Sequence, residues 1–217
     1  MNRFLLVPLA LLPALLVACG SDDPVVVTPT PAPVLKVDAL AEGTYMVALG
    51  NEAQPASGQY YAAADGTRLL VVNDDSERVQ TLYKQTAGGA WTSVPAAKTA
   101  ATISLLRSDT ATAAVTDAAK LVGRYIAQTP AGANAAFTLA ADGTLAPLAG
   151  SVCQLAGKAV AGKLPGTLAV TLTLAGCSGL PASASGILVA DTAYAPARFR
   201  LLADDGSQSV DLWAYSE

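Results

Sequence analysis

Past about residue 38, apolar positions come in short runs broken by turn-forming residues, and the runs alternate with a period of two. Thr167-Leu168-Ala169-Val170-Thr171-Leu172-Thr173-Leu174 is the clearest. Leu168, Val170, Leu172 and Leu174 fall on one face and Thr or Ala on the other, as a half-buried strand requires. Arg198-Phe199-Arg200-Leu201 and Val210-Asp211-Leu212-Trp213 alternate in the same way. Asp65-Gly66, Asp142-Gly143 and Asp205-Gly206 predict tight hairpins, since glycine accepts the positive φ such turns need. Long helical periodicity is absent. Short strands at roughly ten-residue spacing predict an all-β chain of sandwich or barrel type.

The pattern also repeats. Asp38-Ala39-Leu40-Ala41-Glu42-Gly43-Thr44-Tyr45 parallels Asp117-Ala118-Ala119-Lys120-Leu121-Val122-Gly123-Arg124-Tyr125. About twenty residues after each comes Ala64-Asp65-Gly66-Thr67 or Ala141-Asp142-Gly143-Thr144. The shared plan is a short helical turn, a Gly-x-Tyr strand, a second strand and an Asp-Gly hairpin. It predicts two small antiparallel β lobes, residues 38–115 and 116–217, joined across the Ala/Thr-rich stretch 108–119.

The first residues read differently. Arg3 precedes an apolar run over residues 4–18, which ends in Leu16-Val17-Ala18-Cys19. About fifteen apolar residues interrupted by Pro8 and Pro13 fall short of the roughly 20 that span a bilayer as a helix. One cation, a short apolar core and small residues form a processing signal. Leu-Val-Ala-Cys resembles the lipobox of bacterial lipoproteins. That resemblance implies a signal peptide over residues 1–18 and a lipidated Cys19 as the mature N-terminus, carrying palmitate-class acyl chains. One chain holds a protein only marginally, whereas three hold it almost permanently. Gly20 follows Cys19 with no Asp immediately after it, which leans toward the outer membrane, on its periplasmic face or at the cell surface. Residues 19–37 read as an extended linker through Pro24, Pro29, Pro31 and Pro33.

Composition narrows the function. The chain has 13 Lys and Arg against 17 Asp and Glu, a formal net charge of −4. Scattered cations on an acidic protein exclude nucleic acid as a partner, because that affinity rests on clustered Lys and Arg. Aromatic residues make up only 6% of the chain, so cores are thin and lobes small. Cys153 and Cys177 are the remaining cysteines, and in an exported chain they are expected to pair. Closing a loop of about two dozen residues stabilises by roughly 3–4 kcal/mol in the chain-entropy model.

Over residues 121–217 the sequence carries Gly123-Arg124-Tyr125, Phe137-Thr138-Leu139, Asp142-Gly143-Thr144, Cys153-Gln154-Leu155-Ala156-Gly157, the strand from Leu168 to Leu174, Gly176-Cys177 and Gly186-Ile187-Leu188. It closes with Arg200-Leu201-Leu202 and Val210 to Ala214. In these motifs the chain resembles proteobacterial lipoproteins with two Gly-Thr-Tyr repeats and no assigned activity. Arg124 stands where Thr is usual. Their lobes are similar in outline to the eight-stranded barrels of transferrin- and factor H-binding surface lipoproteins. The likeness is to the lobe, so it implies no particular partner.

Catalytic chemistry finds little purchase. The chain has no histidine, which removes Ser-His-Asp and Cys-His nucleophile systems and most catalytic zinc sites. There is no Gly-x-Ser-x-Gly elbow and no Ser-x-x-Lys. Residues 157–164 (GKAVAGKL) match a phosphate loop up to Leu164, where Mg²⁺ binding needs Ser or Thr. Asn73-Asp74-Asp75-Ser76-Glu77 offers oxygens to Ca²⁺ but lacks the spacing of known loops, and reads as a polar hairpin. No catalytic residue, metal or cofactor is implied. Trp213 and Tyr215 lie opposite Val210 and Leu212, either packing against the other lobe or forming an exposed aromatic binding surface. The expectation is a non-enzymatic lipoprotein anchored to the membrane, a binding or structural module for an unknown protein or glycan. The alternatives are a barrel carrying a small apolar ligand, which needs an internal cavity, and a carboxylate-based hydrolase, which needs one raised carboxyl.

Overall fold

Sixteen strands form among the described residues, and alternation in the barrel strands turns Leu, Val, Ala and aromatic residues inward. The computed structural model describes residues 32–112 and 117–217. The expected leader, Cys19 and most of the linker lie outside the described residues, as do residues 113–116 at the expected junction of the lobes. Pro33–Glu217 is one compact unit.

The second half closes completely. Strands β9 (Gly123–Gln128), β10 (Asn134–Leu139), β11 (Thr144–Pro147), β12 (Gln154–Ala161), β13 (Thr167–Ala175), β14 (Ser183–Val189), β15 (Phe199–Asp204) and β16 (Ser209–Ser216) form an antiparallel barrel. β16 returns to pair with β9, so no edge remains. Leu168, Val170, Leu172 and Leu174 point inward at 2–5% exposure, as the alternation requires. Tyr125, Phe137 and Phe199 fill the axis, with ring centroids 4.7–6.3 Å apart. Leu139, Leu145, Leu155, Leu188, Leu201 and Leu212 pack around them.

The first half follows the same path but stays open. β2 (Gly43–Asn51), β3 (Gln54–Ala62), β4 (Arg68–Asn73), β5 (Val79–Gln85) and β6 (Trp91–Val94) form a meander, and β8 (Leu105–Thr110) pairs with β2. The β8–β2 seam corresponds to the β16–β9 seam of the barrel. Closure fails between β6 and β8. Pro95 directly after β6 has no N–H to extend the ladder. β7 (Ala101–Ile103) pairs in parallel with β1 (Leu35–Val37) instead. Strand therefore begins inside the stretch expected to be linker, because Leu35 and Val37 alternate inward. Val37 and Ile103 cover one face of the open sheet, against Val47, Leu49, Tyr60, Leu70 and Val72.

The repeat is visible atom by atom. Tyr45 donates its hydroxyl to the Ala41 carbonyl at 3.2 Å, and Tyr125 donates to Leu121 at 2.6 Å. In each case a side chain on the intervening glycine would press into the tyrosine ring, at 3.2–3.4 Å. At the hairpins, Asp65 and Asp142 each accept the N–H of the threonine two residues on, at 2.8 and 3.0 Å. The expected helical turn forms only in the second copy. Asp117 caps a short 3-10 turn over Ala118–Leu121. Asp38 instead accepts the Leu105 N–H and anchors the start of β8.

Cys153 and Cys177 are joined across the β12–β13 end of the barrel. Cys153→Ser is expected to lower stability by about 3 kcal/mol under oxidising conditions, read by thermal melting. Reduction of the wild type should give the same loss. An unchanged melt would exclude the bond.

Candidate functional site

The outer wall of the barrel is not all solvent. The first half lies against β14, β15 and β16, where Ile187, Val189 and Leu202 meet Tyr61, Leu69, Val71, Leu82 and Val94 in one buried cluster. Within that contact lies Arg200, 1% exposed. Its guanidinium donates to Asp211 Oδ1 at 2.7 Å and Oδ2 at 2.8 Å. It also donates to Asn73 Oδ1 at 3.1 Å and to the Glu77 carbonyl at 3.0 Å. The Trp213 ring stacks 4.5 Å from its central carbon. Asp211 accepts in addition the Val79 N–H at 2.8 Å. Barrel and sheet are thereby stitched through one charge pair, with the β4–β5 hairpin folded onto it.

More polar ties surround this pair. Lys84 reaches Asp204, and Lys163 reaches Asp65 at 2.9 Å. The Tyr194 hydroxyl sits against the Gln59 amide, which also accepts the Tyr61 hydroxyl at 3.1 Å. Burial raises the phenols of Tyr61 and Tyr194, so both stay neutral at ordinary pH.

The two aromatic residues singled out from sequence part company. Trp213 is half-buried, wedged between Arg200 and Tyr194, whose ring centroid is 5.0 Å away. It serves the contact between sheet and barrel. Tyr215 is 42% exposed and pairs in register with Ile126 on β9. Toward the end of the same strand pair, Arg124 and Glu217 form an exposed ion pair (2.7 Å). Ile126, half-buried opposite Tyr215, was not legible as part of this face because isoleucine also suits a strand core.

The remaining candidates resolve as structure. In residues 73–77, Asn73 Oδ1 and the Glu77 carbonyl face the Arg200 guanidinium, a cation already in place. Asp74 Oδ1 accepts the N–H groups of Ser76 and Arg78 within its own turn. Among the described residues no group of three or more His, Cys, Asp or Glu gathers as metal ligands. The phosphate-loop look-alike is strand through Ala161, and Gly157 lies against the backbone of β13. Its lysines serve ion pairs, Lys158 with Asp142 and Lys163 with Asp65, both at 2.9 Å.

Those pairs set the acidity of Asp65 and Asp142. The Lys163 ammonium, then the Thr67 N–H, hold Asp65 down to about 2. Lys158 and Thr144 hold Asp142 lower still, and the N–H groups of Gln208 and Ser207 depress Asp205. A general acid needs the opposite shift. Open depressions mark the described surface, and two of them border the barrel end and the β4–β5 turn. One, of about 520 Å³, lies at a barrel mouth near Lys120, Asp191, Pro196 and Arg198. The other, of about 620 Å³, lies beside Gln54, Ser57, Asp74 and Asp75. Neither enters the barrel axis, which aromatic rings occupy.

No protein-family model, curated protein or solved structure matches the chain.

Arg200→Ala strands the Asp211 carboxylate in the contact and is expected to cost about 3–5 kcal/mol in chemical denaturation. The double replacement Arg200→Met, Asp211→Leu should recover much of that loss. Asp65 has a folded-state pKa below its unfolded value, so its contribution is full above about pH 4 and is lost as pH falls toward 2. A carboxyl-carbon NMR titration should place its midpoint near 2, and Lys163→Ala should return it toward the ordinary value.

Proposed function

We propose that the protein is an exported lipoprotein, anchored in the outer membrane through acyl groups on Cys19. It acts there as a non-enzymatic binding or structural module. The observation that carries this reading is the order Arg3, apolar run, Leu16-Val17-Ala18-Cys19, followed by a proline-rich tether. The folded unit is in keeping with it. A barrel whose axis holds Tyr125, Phe137 and Phe199 has given its interior to packing, which speaks against a carrier of apolar ligands. Carboxylates pinned by lysines and turn amides favour scaffolding over acid–base chemistry. Recognition is then left to the outer surface. Tyr215 with Ile126, bordered by Trp213, is the aromatic patch best suited to a protein or glycan partner.

Metabolic labelling with a fatty-acid analogue tests the anchor. In a Gram-negative host the wild type should take up label and sediment with outer membranes, and Cys19→Ala should be unlabelled and released. A wild-type protein that keeps Met1 and stays in the cytosol would overturn the reading.

A further inference from the structure

The barrel has no edge, but the open sheet has one on β8. Its side chains are exposed: Leu106 is 43% exposed, and the side chains of Arg107 and Asp109 are 74% and 56% exposed. The ladder fixes which backbone groups are used. Ala111 N–H donates to the Thr44 carbonyl, and the register pairs Asp109 with Met46 and Arg107 with Ala48. In an antiparallel ladder hydrogen-bonded and non-hydrogen-bonded pairs alternate. Residues 107, 109 and 111 therefore bond to β2, and Ser108 and Thr110 turn their N–H and C=O groups away from the sheet. Such a row is a template for another strand.

The sequence of the edge says which strand fits. We propose that β8 pairs antiparallel with β8 of a second copy of this chain, about a two-fold axis at Ser108. At that axis Ser108 meets Ser108 of the second copy as a hydrogen-bonded pair, using the groups that face outward. The neighbouring non-hydrogen-bonded pairs have Cα atoms only about 4.5 Å apart. They set Arg107 opposite the second copy's Asp109, and Asp109 opposite its Arg107. Opposite charges there stabilise the pair and like charges oppose it. Moving the axis to residue 107 sets arginine against arginine, and moving it to 109 sets aspartate against aspartate. One register alone is self-complementary in both hydrogen bonding and charge. In the single chain Arg107 and Asp109 already pair at 2.6 Å. Dimerisation exchanges one such exposed contact in each chain, itself worth little, for two across the axis, and its gain lies in the added backbone bonds. The proposal does not depend on lipidation.

The experiment uses the full chain in detergent, read by sedimentation. Wild type should sediment as a dimer. Arg107→Asp alone and Asp109→Arg alone should each be monomeric, with unchanged circular dichroism. Mixing the two variants should restore a dimer containing one of each, because the charges again oppose. Separately, Ser108→Cys should form a reducible dimer under oxidising conditions, since Cα atoms about 5.5 Å apart suit a disulfide. Lys98→Cys, in the exposed segment after β6, should not. A monomeric wild type, single variants that dimerise like wild type, or equal cross-linking at residues 98 and 108 would each overturn the proposal.

Discussion

Arg200 sits where charge is expensive, in a contact between two β layers, and it is kept there by the partners of its Nε and Nη2 groups. Asp211 takes two of its donors' bonds, Asn73 and Glu77 take others, and Trp213 lies over its face. A buried charge is tolerated only when it is paired and hydrogen-bonded. The surroundings are shaped to supply it. The β4–β5 turn must fold down to present Asn73 and Glu77. β16 must be in register to bring Asp211 diagonally across from Arg200. Trp213 and Tyr194 must close the side. The charge pair adds little net stability over an apolar substitute, while it ties the β4–β5 turn, β15 and β16 together at one point.

Local features of this fold were plain in the sequence and global ones were not. The strand of β13, the three Asp-Gly turns and the Gly-x-Tyr repeat rest on interactions within a few residues, so alternation and turn chemistry suffice. Whether a meander closes depends on the last strand meeting the first, and no local pattern records that. Both halves read as equivalent lobes, although only the second is a closed barrel. The Arg200 site was hidden for a related reason. Alternation correctly put Phe199 and Leu201 inside and Arg200 outside. The outside of the barrel is itself an interior, because the sheet lies on it. A trace of the site was present: the Asp205-Gly206 hairpin sets the register that brings Arg200, Asp211 and Trp213 onto one face.

The two copies of the repeat have diverged in how firmly they are held. In the second, Tyr125 is buried against Phe137 and Phe199, and its hydroxyl makes a short bond to Leu121. In the first, Tyr45 is partly exposed and its equivalent bond is longer. The same motif thus locks a closed cylinder in one half and trims an open sheet in the other. An open sheet keeps two faces to cover. One is hidden by the barrel and the other by the short β1–β7 pair.

That pair is also where the chain enters the fold. β1 is three residues long and follows directly on the N-terminal segment. Any pull along that segment is delivered first to three parallel rungs, not to the nine-residue strands behind them. The three rungs therefore meet the load first. The cylinder beyond, closed on itself and cross-linked by Cys153 and Cys177, would stay intact while the entrance gives way.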